Sequence, residues 1–201
     1  MQVQVGRGEY MRTWTGRKFY PLDPRPEEVS LTDIAHHLSM LCRFNGGLNR
    51  FYSVAEHSVI VARVVAQTNP RYALWALLHD ASEAYLGDMI RPLKHSSAGV
   101  GYREVESNVM RSAILPYFAL PKEEPPIVKL IDARLCITEA LHLRTNRAAD
   151  VMQVREGFEP LSAKQCGWSW WRRPGWSPRR AEREFLAAFD HYDRLSLAEA
   201  A

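Results

Sequence analysis

Two histidines and two aspartates fall inside stretches whose apolar spacing otherwise reads as buried helix: His57, His79, Asp80 and Asp132. A polar group carried into an apolar interior destabilises the fold unless a partner satisfies it. Four such groups, two imidazoles and two carboxylates, are what a divalent metal accepts. His79 and Asp80 are neighbours on one helix, so their side chains diverge by about 100°. They share an ion only if other ligands close the site from other helices, and His57 and Asp132 lie on separate ones. The donor set suits one divalent transition metal (Mn, Co, Fe, Zn or Ni) better than calcium.

The remaining periodicity describes an all-α chain. Residues 12–26 place Gly16 between two β-prone runs and close on Pro21, Pro24 and Pro26, which predicts a short hairpin or extended arm. A helix follows from Ser30 or Thr32 through Ile34, Leu38 and Leu41 to a stop at Gly46-Gly47. The next runs from Ser53 to about Gln67; its β-branched content suits a strand as well, but its length favours helix. After Asn69-Pro70, residues 71–86 read as one central buried helix ended by Gly87, and residues 88–100 as a loop. Helices follow over 101–118, with Pro116 near its end, over 127–147, and over 179–197. Residues 160–178 mix Trp168, Trp170, Trp171 and Trp176 with prolines and basic residues. That stretch reads most simply as a loop packing its own aromatics, ahead of a partner surface, a flap or a nucleic-acid platform. The expectation is a single domain over 1–201, a bundle of about six helices. Met11 offers a second start, so residues 1–11 are expected to be dispensable.

Composition narrows the partners. The net charge of +3 is too small for an extended nucleic-acid footprint. No stretch approaches the roughly 18 apolar residues of a membrane span, and residues 1–7 hold no apolar leader core. Cys42, Cys136 and Cys166 are widely spaced with no paired motif, which suits a reducing cytoplasm.

Around the four polar residues lie further groups with chemistry. Glu83 follows His79 by one helical turn, so it shares a face with the site. A carboxylate beside a metal but not needed as a ligand serves acid–base catalysis. Arg91 and Lys94 sit in the loop after Asp88, at the mouth of the expected site, where cations hold phosphate. Glu139 shares a helix face with Asp132 and either orients a ligand histidine or forms an ordinary buried ion pair. His36, His37, His95, His142 and His191 fit no such pattern.

The order His, His-Asp, Asp resembles the HD-domain superfamily of metal-dependent phosphohydrolases. Within it, His79-Asp80-Ala81-Ser82-Glu83-Ala84-Tyr85-Leu86-Gly87-Asp88 resembles the active-site helix of bacterial 5′-deoxynucleotidases. The run Phe51-Tyr52-Ser53-Val54-Ala55-Glu56-His57-Ser58 is similar to a prophage-associated branch of that group, and the resemblance covers about residues 13 to 147. It implies an HD helical bundle with Glu83 as a catalytic carboxylate and Asp88 at the phosphate and attacking water. It implies that Arg43 contacts the phosphate and that Phe44, where the best-known members carry Trp, packs near the sugar 2′ carbon. The activity so implied is phosphate release from deoxynucleoside 5′-monophosphates by a homodimer. Two alternatives share the scaffold: a deoxynucleoside triphosphate triphosphohydrolase, and a non-catalytic nucleotide-binding module.

Overall fold

The structure, a computed structural model, describes residues 7–143, 157–169 and 173–200. The expected hairpin is an antiparallel pair, β1 (Met11–Arg12) and β2 (Lys18–Phe19), turned at Gly16 with φ +83°. Two anchors hold it. Phe19 is fully buried and stacks on Tyr85 at 3.8 Å. The buried Asp33 carboxylate accepts from the Thr15 backbone N–H at 2.7 Å and its hydroxyl at 2.8 Å, which satisfies a charge the core could not otherwise hold.

Helix α1 (Leu31–Met40) starts on Ser30, whose hydroxyl accepts from the Asp33 N–H at 3.4 Å. It ends earlier than the Gly46-Gly47 stop expected, because the chain turns extended. The Arg43 N–H reaches the Tyr52 carbonyl at 2.9 Å, and the Val54 N–H reaches that of Leu41 at 3.0 Å. This crossing lays Arg43 beside the start of α2. Phe44 and Asn45 then take left-handed backbone, φ 54° and 50°, a conformation side-chain-bearing residues rarely adopt.

Helix α2 (Val54–Ala66) is capped by Ser53, whose hydroxyl accepts from the Glu56 N–H at 3.1 Å. It is buried nearly all round, as a central helix is, so its β-branched residues fill a core and form no strand. The expected central helix over 71–86 is broken. Helix α3 (Ala73–Leu77) stops at Leu78, φ −98° and ψ 5°, and α4 (Glu83–Leu86) resumes before Gly87. Between them the hydrogen bonds tighten to three-residue turns, Leu78 to Ala81 at 3.0 Å and Asp80 to Glu83 at 3.0 Å. Such turns eclipse side chains three apart, which sets Asp80 and Glu83 to one side.

The region read as loop holds α5 (Arg91–Lys94) and a turn at Ser97–Gly99. Helix α6 (Val100–Val109) passes through a wide π-turn at Met110–Ile114 into α7 (Leu115–Tyr117). Pro116 lacks an N–H and its ring would strike the carbonyl four residues back; the π-turn just before it gives the room. Helix α8 (Pro126–Leu143) carries Asp132; its expected continuation to residue 147 lies outside the described residues. Helix α9 (Pro178–Ala200) packs on α1, α2 and α3. The fold is thus mostly helical, but its helical segments are shorter and more numerous than the six expected. Two expected rods are interrupted, and one expected loop is partly helical. One cluster of buried side chains runs from Phe19 through α2 and α8 to Phe185 and Tyr192. Among the described residues, no helix is long and apolar enough to cross a membrane.

The Trp-rich stretch is part of this core. Trp176 is buried and Trp168 packs against the cluster, while Trp170 and Trp171 lie outside the described residues. Its backbone closes over Glu56, whose buried carboxylate accepts from the Gly175 N–H at 2.9 Å and the Trp176 N–H at 2.7 Å. Gly175 has φ +100°, and a Cβ there would stand 2.5 Å from Arg50 Cδ and 3.2 Å from the Phe51 carbonyl. Gly175→Ala should therefore cost about 1–3 kcal/mol, the scale of a strained left-handed residue. Urea unfolding reads it; an unchanged midpoint would mean this closure contributes nothing to the fold.

Candidate metal centre

His57 projects from α2, His79 and Asp80 from the broken segment between α3 and α4, and Asp132 from α8. The ligand atoms of His57, His79 and Asp132 all lie within 4.8 Å of one another. His57 Nε2 stands 3.2 Å from Asp132 Oδ1, and the two imidazole centroids are 5.3 Å apart. Asp80 Oδ2 is 3.2 Å from His79 Nε2 and 3.9 Å from His57 Nε2; it lies beside the group, but the ligand atoms that converge are those of His57, His79 and Asp132 and not the expected four.

Ring orientation argues for a cation. His79 Nδ1 lies 2.7 Å from the Ala76 carbonyl, which only accepts, so Nδ1 carries a proton and Nε2 is the nitrogen turned to the centre. His57 Nδ1 likewise donates to Glu139 Oε1 at 2.6 Å. Both Nε2 atoms are buried with no hydrogen-bond partner among the described residues. Buried polar atoms are almost always satisfied. Two imidazole Nε2 atoms facing one carboxylate fit a divalent metal, with His57, His79 and Asp132 as the residues that can hold it.

The electrostatics agree. Burial pulls the His79 imidazole down, but Asp80 and Asp132 outweigh it and push its pKa up to about 9. Burial alone would raise the Asp80 carboxyl; the two imidazoles and Arg43 instead hold it well below the usual carboxylate range. The centre favours positive charge.

Glu139 is the support behind it. Fully buried on α8, it accepts from His57 Nδ1 and, at 2.7 Å, from the Tyr52 hydroxyl, and its Oε2 is ion-paired with Arg43 Nε at 3.3 Å. Of the two readings of Glu139, the structure shows both at once: it orients His57 and is ion-paired. A carboxylate behind a ligand histidine fixes its tautomer and strengthens its donor atom. Arg43 spans from Glu139 to Asp80, 3.4 Å from its Oδ2.

His79, Asp80 and Asp132 line a cleft of about 950 Å³. Arg43, Phe44, Glu83, Asp88, Arg91 and Lys94 all line it. Glu83 is nearly buried and its Oε2 has no hydrogen-bond partner among the described residues. Burial first, then the charges of Asp80 and Asp88, lift its pKa well above the carboxylate range. Burial also raises Asp88. Phe44 is half-buried, with the Arg43 guanidinium 5.6 Å from its ring centre. Arg91 is exposed and 3.3 Å from His95 Nε2, whereas Lys94 is held by Glu106 at 2.6 Å. Tyr52, Tyr102 and Glu106 were not singled out from the sequence as site residues. Tyr52 reads as an ordinary core aromatic, and Glu106 as one more charge on a polar helix.

Fold and centre together define a mostly helical protein with a buried His/His/Asp group that can hold a metal. No family model matches the chain. It is 42% identical over 182 residues to an uncharacterized protein of Rhodobacter capsulatus, covering 88% of this chain and 79% of that one. It is 35% identical over 130 residues to the uncharacterized protein YfdR of Escherichia coli, covering 65% of this chain and 70% of YfdR. The chain belongs to the family of these two proteins.

Proposed function

We propose that this chain is an HD-type metal-dependent phosphohydrolase that releases phosphate from deoxynucleoside 5′-monophosphates. One observation carries the reading: two imidazole Nε2 atoms and a carboxylate converge beside a cleft that is also lined by a half-buried arginine and a buried glutamate. A divalent ion held by His57, His79 and Asp132 would supply Lewis acidity toward a phosphoryl oxygen and would acidify water. Arg43, already desolvated, offers its guanidinium to phosphate charge as it develops. Glu83, whose pKa burial raises, is placed to give a proton to the leaving 5′ oxygen, and Asp88 to orient the attacking water. A phosphate-release screen of nucleoside mono-, di- and triphosphates with Mn²⁺, Co²⁺, Ni²⁺, Zn²⁺ and Mg²⁺ tests it. Phosphate from deoxynucleoside monophosphates with a transition metal supports the reading; no release from any nucleotide ends it. One feature favours a triphosphohydrolase on the same centre: Arg103, Arg111 and Lys122 also line the cleft. Inorganic triphosphate among the products would decide for that activity.

Sugar selectivity falls to Phe44. A ribose 2′-hydroxyl against its ring loses water without gaining a partner, at a cost of about 1–3 kcal/mol. That gives deoxyribose a preference of roughly 5- to 150-fold. Phe44→Ala should bring kcat/KM for AMP and dAMP closer, mainly by raising AMP. If the ratio holds after truncation, Phe44 is only a packing residue beside Arg43.

A further inference from the structure

Helix α6 grips the chain segment that carries the cleft's outer cations. Three of its residues do this within one turn. The Tyr102 hydroxyl donates to the Gly87 carbonyl at 2.5 Å, where α4 ends. Arg103 donates to the backbone carbonyls of Lys94 and, at 3.2 Å, Ser96. Glu106 Oε1 takes the Lys94 ammonium at 2.6 Å. The far side of the segment is closed by Gly99, where a Cβ would stand 2.4 Å from the Lys94 carbonyl and 2.5 Å from that of Leu93. Backbone and side chain of Lys94 are thus both fixed from α6.

The consequence lies in where the ammonium points. Lys94 Nζ is also 4.0 Å from Glu83 Oε1, and Lys94, Glu83 and Glu106 line the same cleft. An ammonium has three donors. Glu106 engages one, which leaves donors for a ligand in the cleft beside Glu83. A free lysine on a four-carbon stem would lose considerable rotamer freedom on binding an anion; one already held by a carboxylate has lost it beforehand.

We propose that Glu106 is a positioning residue that, through Lys94, presets a cation for a phosphate group bound between Glu83 and α5. This rests on the phosphohydrolase reading for its substrate, but not for its geometry. Glu106→Gln and Lys94→Met should each raise KM for the nucleotide roughly tenfold, the scale of one charge-assisted hydrogen bond, with kcat changed by less than about twofold. The double variant should be no worse than Lys94→Met alone, because residues acting through one contact are non-additive. A purely structural loss would instead add, and would lower kcat. Circular dichroism of each variant checks that the helices persist. In parallel, calorimetry with inorganic phosphate on the metal-loaded protein should show the same weakening in both single variants. If the wild type releases no phosphate from any nucleotide, the phosphohydrolase reading fails, and the calorimetry alone decides for or against Glu106. Additive effects, or Lys94→Met weakening phosphate while Glu106→Gln does not, would overturn the proposal.

Discussion

Asp132→Ala is expected to purify without its divalent metal and to lose nearly all phosphate release. Asp132 is the carboxylate of the three-residue cluster, and its Oδ1 faces His57 Nε2 at 3.2 Å. Without it, two imidazoles remain and the charge that balances a dication falls to Asp80. Glu139→Gln is the scale bar. It leaves every ligand in place but removes the charge behind His57, and losing such a partner costs roughly 10- to 100-fold in metal affinity. Asp132→Ala should exceed that range, and Asp80→Ala should also lower both occupancy and activity. Metal content by plasma emission, read beside phosphate release, checks the series. Stoichiometric metal in a folded Asp132→Ala protein would show that the ion, if any, binds elsewhere.

Glu83→Gln should separate binding from chemistry. The glutamate is nearly buried, one oxygen has no hydrogen-bond partner among the described residues, and none of the distances makes it a metal ligand. Glutamine keeps the shape and cannot pass a proton. Metal content and KM should hold while kcat falls by about 10²- to 10⁴-fold, the usual contribution of positioned acid–base catalysis. The pH profile gives an independent sign. With Glu83 as the general acid, activity is lost as pH rises through its pKa, which burial, then Asp80 and Asp88, shift upward. The alkaline limb should vanish in Glu83→Gln. Parallel loss of metal and rate would make Glu83 a ligand instead.

Three of the four residues expected to meet, His57, His79 and Asp132, were readable from the sequence because they break a rule the rest of the chain obeys. His57 sits in a helix that is otherwise core, and an imidazole is not placed there without a partner. The same reasoning marked Glu139 from its spacing to Asp132, and the caps at Ser30 and Ser53 set the starts of α1 and α2. These are local signals: periodicity, a cap, a polar residue on an apolar face.

What stayed hidden depends on neighbours distant along the chain. A continuous 71–86 helix is the sound local expectation, yet packing breaks it at Leu78, which sets Asp80 and Glu83 to one side. The extended crossing of residues 41–43 on 52–54 ends α1 early and delivers Arg43 to Glu139 and Asp80. Glu106 carries no mark on a polar helix until α5 folds against it. Residue type and helical period determined which groups need a partner; only the packing of α2, α6 and α8 around the broken segment determined which partner each one meets, because those contacts join residues with no fixed spacing in the chain.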